Sequence, residues 1–165
     1  MLLVGWVVGK GATPVDDWFQ RFWDSPARRL AFVTKPSVLV IVLLVVLLVA
    51  LYRRRWRLAA ATPLAPVVGI VFVQLLKPVF GREKGGGFAY PSGHVTTLVV
   101  VMGLVVLVAG CAWWAVSVAV AAILLGMVGV GITFHYFTDT VGGLLLGSAI
   151  VCVVALTSGH APRRT

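Results

Sequence analysis

Charge is scarce in this 165-residue chain: Asp, Glu, Lys and Arg together make up 12% of it, against 60% hydrophobic residues. That shortage excludes an ordinary water-soluble domain, which needs far more polar surface to cover its core, and places the chain in a bilayer. Among the charged residues carboxylates are the minority, 5 against 14 Lys and Arg, for a formal charge of +9. In a soluble protein this balance would suggest nucleic acid. Here the basic residues sit in loops and tails between apolar runs, where topology and anionic headgroups account for them, and no nucleic-acid partner is implied. Cysteine is also sparse: Cys111 and Cys152 stand at the end of, or inside, an apolar run, with no CxxC spacing and no Cys/His cluster. Neither a disulfide nor zinc is indicated. The apolar residues 1–9 lack a basic segment ahead of them, with Lys10 coming after, so they read as a shortened or interfacial first helix rather than a signal peptide. Finally, the apolar runs hold almost no ionisable or amide side chain except Gln74 near one end, which argues against a transporter, for which ionisable residues near the middle of the spans are expected.

What the chain does have is long apolar stretches, at 38–52, 58–76, 95–111, 115–134 and 141–157. Each is near the roughly 20 residues that cross the hydrocarbon layer. The first is the shortest, but Pro36 and Ser37 can start its helix early and Arg53, Arg54, Arg55 and Arg57 can snorkel at its end. The expected fold class is therefore all-α, a polytopic membrane helical bundle of five transmembrane spans. A short N-terminal apolar helix and an amphipathic interfacial helix precede them. Thr13, Pro14 and Asp16 mark the start of the interfacial helix by a capping hydroxyl, a first-turn proline and a carboxylate three residues on. Trp18, Phe19, Phe22 and Trp23 would form its aromatic face, although a stripe of this kind is also common in plain packing. The expected divisions are 1–36 for these two elements, 37–157 for the transmembrane core and 158–165 for a basic cytoplasmic tail. The dense basic cluster 53–57 is expected inside, and five spans also place the tail with Arg163 and Arg164 inside. Loop 77–94 and turn 135–139 then share the outer face. Pro63 and Pro66 are expected to kink the second span, and Gly143 and Gly147 to pack the last one.

The residues capable of chemistry collect on that outer face. His94 and His135, two of the chain's three histidines, lie at span boundaries, where an unpaired ionisable group is costly. Asp139 follows His135 by four positions, so one turn of helix lets the carboxylate hold one ring nitrogen and leave the other free to attack. The run Tyr90-Pro91-Ser92-Gly93-His94 opens an apolar span, so Ser92, Gly93 and the next N–H groups can form an anion site with His94 beside it as proton donor. Lys77, Arg82 and Lys84 share one loop, with Gly81 and the glycines 85–87 freeing its backbone to fold around a phosphate. Each feature has a bland alternative: a structural His–Asp pair, a loop touching headgroups, an ordinary helix start. Nucleophile, acid, anion cradle and cationic loop on one membrane face point together to a site.

With these residues in place the chain resembles the type 2 phosphatidic acid phosphatase superfamily, whose motifs read K-x-x-x-x-x-x-R-P, P-S-G-H and S-R-x-x-x-x-x-H-x-x-x-D. The likeness runs from Lys77 to Asp139 in the right order, with the second motif complete at Pro91, Ser92, Gly93 and His94, and the end of the third at His135 and Asp139. The resemblance implies an integral membrane lipid phosphatase with a phosphohistidine formed on His135. Asp139 would orient that ring, and His94 would protonate the leaving oxygen and then activate water. It implies no metal and no cofactor. The partner is a phosphorylated lipid such as a polyprenyl diphosphate or a phosphatidate, within membrane lipids of a bacterial plasma membrane, and the small size is compatible with a homodimer. The soluble haloperoxidases that share these motifs bind vanadate and lack such spans. Two departures stand out. Lys84 and Gly85 occupy the Arg-Pro of the first motif, and Val128 and Gly129 stand where the third has serine and a phosphate-binding arginine. Lysine keeps the charge but loses bidentate geometry, and Arg82 is the expected substitute for the lost arginine. The alternative is a binding or scaffold protein of the same fold without turnover.

Overall fold

The computed structural model describes residues 1–159, so most of the expected basic tail, with Arg163 and Arg164, lies outside the described residues. Each apolar stretch forms one helix: α3 (Pro36–Tyr52), α4 (Trp56–Phe80), α5 (Gly93–Val108), α6 (Trp113–Ile132) and α7 (Phe137–Thr157). Ahead of them come α1 (Leu2–Val8), α2 (Pro14–Gln20) and a 3-10 segment, Pro26–Thr34. Four helices are long and apolar enough to cross a membrane, the first counted with the 3-10 segment as Pro26–Tyr52. The remaining one, α5, has 16 residues, short of the roughly 20 of a full span. It forms the centre of the bundle, packed by α3, α4, α6 and α7. Outward faces carry bare apolar side chains, among them Val40, Ile41, Leu44 and Leu48 on α3. A surface of this kind suits lipid rather than water.

Close approach of helices to α5 depends on small residues. A Cβ on Gly143 would lie 2.6 Å from the Ser92 carbonyl oxygen, and one on Gly147 would lie 2.7 Å from Val99 Cβ, so the α7 glycines are packing positions. Pro63 and Pro66 are accommodated within α4, which runs on without interruption. At one end of the bundle, the Arg53 and Arg55 guanidiniums donate to the Val108 and Leu107 carbonyl oxygens at 2.9 and 3.0 Å. These bonds satisfy the last carbonyls of α5. The ends of α4 and α6 and the starts of α5 and α7 meet at the opposite end.

The first 36 residues fold back onto that opposite end. The expected capping box forms, with Thr13 and Asp16 bonded reciprocally. However, α2 stops at Gln20, leaving Phe22 and Trp23 beyond it, and it does not lie free as an amphipathic rod. Phe19 stacks on Phe137 with ring centroids 3.9 Å apart, and the Gln20 amide donates to the Gly131 carbonyl oxygen at 2.9 Å. Seven residues of α1 rise only about 10 Å, too little to span.

Candidate active site

His135 lies in the turn joining α6 to α7, its backbone N–H donating to the Val130 carbonyl oxygen at 3.1 Å. The side chain is mostly buried, and its Nδ1 has no hydrogen-bond partner. Asp139 Oδ2 lies 3.8 Å from that nitrogen, one helical turn away as the spacing requires, but beyond hydrogen-bond distance. The carboxylate is instead occupied by the backbone N–H of Tyr136 at 2.9 Å and by Arg82 at 2.8 Å. Catalytic hydrogen bonds often tighten only when substrate is bound. The His94 ring, at the start of α5, has its centroid 5.7 Å from that of His135 and stacks on Phe134.

Arg82 departs most from expectation. It is fully buried, and both terminal nitrogens bond inside the protein: Nη1 donates to Asp139 and to the Thr138 hydroxyl, while Nη2 donates to Asp16 Oδ2 at 2.7 Å and to the Gly11 carbonyl oxygen at 2.8 Å, and Nε has no hydrogen-bond partner. Pairing with two buried carboxylates commits both terminal nitrogens, and Arg82 is not among the residues that line the two cavities described below. Asp16 is the residue that sequence reasoning missed, having assigned it only to a helix cap. Burial raises its pKa, but hydrogen bonds from Thr138, Thr13 and Arg82 outweigh that effect and the net shift is downward.

The glycines of the loop also serve another end. Gly85 and Gly86, both at positive φ, turn a two-stranded hairpin in which β1 (Glu83–Lys84) pairs with β2 (Gly87–Phe88). This hairpin aims Lys84 at the site, where Nζ donates to the His135 carbonyl oxygen at 2.7 Å and lies 4.9 Å from the Tyr136 ring. Burial lowers the Lys84 pKa and Arg82 adds to this, against the pull of Asp139 and Asp16. Ser92 is wholly buried, and its hydroxyl accepts from Val95 N–H as the α5 cap, so it stands behind the site rather than facing an anion. Gly93 does reach the cavity described below.

Glycine at position 129 has a physical reason. A Cβ there would lie 2.1 Å from the Ala31 backbone nitrogen and 2.5 Å from the Leu30 carbonyl carbon, because the 3-10 segment packs flat on α6. Since backbone cannot swing aside, Gly129→Ala is expected to cost at least about 1–3 kcal/mol, and arginine more. Unfolding of the detergent-solubilised variant checks this; unchanged melting would mean that the segment does not sit on α6.

Two cavities meet at His94. One, about 500 Å³, is lined by His94, His135, Lys77, Gln74 and Gly93 at one end, and by apolar side chains of α3 and α4 from Leu39 and Leu43 down to Pro63. The lining of α4 from Pro63 to Lys77 corresponds to roughly 20 Å of helix length. The second, about 780 Å³, is lined by His94, Phe134, Trp23, Arg28, Arg29 and Lys35, among others. The structure thus joins both histidines and Lys77 on one cavity, adds Lys84 through the backbone, and leaves Arg82 and Ser92 behind the wall. Comparison of the chain with protein-family models, curated proteins and solved structures finds no match.

Proposed function

We propose that the chain is an integral membrane lipid phosphatase that transfers a phosphoryl group from a long-chain lipid to His135. The observation that carries this reading is the cavity in which two histidines and a lysine stand at the head of an apolar groove roughly 20 Å long. A phosphorylated amphiphile matches both halves, with its headgroup at His94, His135 and Lys77 and its tail between α3 and α4, where it would enter sideways from the bilayer. His135 attacks phosphorus and Asp139 holds its ring. His94 gives a proton to the leaving oxygen, then takes one from the water that splits the phosphohistidine. In this reading α5 also crosses, third in chain order and bringing the crossings to five, the cluster 53–57 faces the cytoplasm, and the site opens on the outer side of a bacterial plasma membrane.

A second reading is favoured by the internal pairing of Arg82 and by glycine at 129: a protein that holds phosphorylated lipid without turning it over. Phosphate release by the detergent-purified protein, from polyprenyl diphosphate and from phosphatidate without added metal, separates the two. Release from either supports the phosphatase. Binding of lipid by folded protein with no release supports the second reading.

A further inference from the structure

Three cations of the larger cavity remain without an assigned task. Arg28, Arg29 and Lys35 are exposed, no carboxylate is among the residues that line the cavity with them, and none of the three joins an ion pair among the described residues. Their placement is fixed by the fold: the 3-10 segment is clamped to α6 by Ala31 against Gly129 and by Thr34 and Val33 against Gly126. That clamp buries Ala31 and Thr34 and leaves the arginines on the cavity side, with Arg28 over the Trp23 ring. Thr34, Pro36 and His94 line both cavities, so the basic compartment adjoins the groove at the proton donor.

A single phosphoryl group already has Lys77 and the histidines as neighbours. A further compartment of uncompensated positive charge next to His94 fits a second anion on the same ligand. We propose that Arg28, Arg29 and Lys35 form a subsite for the inner phosphate of a lipid diphosphate, so that the protein discriminates in favour of diphosphates over monophosphates. This rests on the phosphatase reading for its reaction. His135 bonds to the terminal phosphorus and the bond from that phosphorus to the bridging oxygen breaks. The bridging oxygen takes the proton of His94 and departs as lipid monophosphate, held by the basic wall. Water then cleaves the N–P bond to give orthophosphate.

The test measures equilibrium binding of polyprenyl diphosphate and of the monophosphate with the same chain, to full-length protein carrying His135→Ala, so that turnover plays no part. Adding Arg28→Gln and Arg29→Gln should lower the ratio of diphosphate to monophosphate affinity roughly tenfold or more, the scale of hydrogen bonds to a charged group. Arg28→Lys with Arg29→Lys should keep most of the ratio. An unchanged ratio in the glutamine variant, the result expected if the wall meets only surrounding headgroups, overturns the proposal. Because the readout is binding, absence of turnover in the wild type sinks the phosphatase reading without deciding the subsite.

Discussion

On the proposed phosphatase reading, replacing His135 by alanine is expected to lower phosphate release from a lipid phosphate by roughly 10⁴-fold or more, because no other described side chain on the cavity is placed to take over as the covalent nucleophile. The nearest candidate, His94, lies across the cavity with its ring stacked on Phe134, so the pair is not interchangeable. Replacing His94 by asparagine should have a smaller effect, about 10²- to 10⁴-fold, the range for loss of a general acid. The two variants also differ in kind. With His94 absent, a phosphohistidine that forms on His135 lacks its base for hydrolysis and should accumulate, so brief incubation with a labelled lipid phosphate should label the His94 variant and leave the His135 variant unlabelled. The reverse pattern would exchange the two roles. Release that survives in both would remove the histidines from the reaction altogether. Alanine at 135 leaves the backbone bond to Val130 and the Lys84 bond to the carbonyl oxygen available, so the variant should fold, and its melting checks that it has.

The five apolar helices and the capping box at Thr13 were legible because hydrophobicity and capping are local properties, written in adjacent residues. So was the neighbourhood of His135 and Asp139, four apart at the start of a helix. Arg82 and Asp16 were not. They are separated by 66 positions in the chain, and only the folding of α2 onto the end of the bundle makes a capping carboxylate into the partner of a loop arginine. Gly129 was legible as a departure from a motif, but its cause, the backbone of Leu30 and Ala31 lying on α6, is a tertiary contact with no local signature. In sequence the glycines 85–87 suit a loop free to fold around a phosphate. Their spacing equally suits a hairpin turn, and the pairing of Glu83 with Phe88 decides for the turn.

Removal of Arg82 tests whether this buried pairing holds the site together. Arg82→Met leaves Asp16 and Asp139, both wholly buried, without their shared counter-charge. Stranding buried charge in this way costs about 3–5 kcal/mol, more than methionine recovers by packing. The expected result is a large drop in unfolding midpoint for the detergent-solubilised protein. Adding Asp16→Asn should recover part of the loss, since one of the two stranded carboxylates is then neutral, and only part, because the single amide oxygen can replace just one of the two carboxylate oxygens that accept from the Thr13 and Thr138 N–H groups. Arg82→Lys should fall between wild type and Arg82→Met. It keeps one charge but cannot reach Asp16, Asp139, Thr138 and the Gly11 carbonyl oxygen with the fork that guanidinium supplies. If Arg82 were instead a phosphate ligand, Arg82→Lys would raise KM with its melting unchanged, and Asp16→Asn would not rescue the methionine variant. Under the proposed phosphatase reading the distinction bears on the reaction, because Arg82 and Tyr136 together fix the Asp139 carboxylate, and the 3.8 Å from that carboxylate to His135 is the distance that would have to close for the ring to be held during attack.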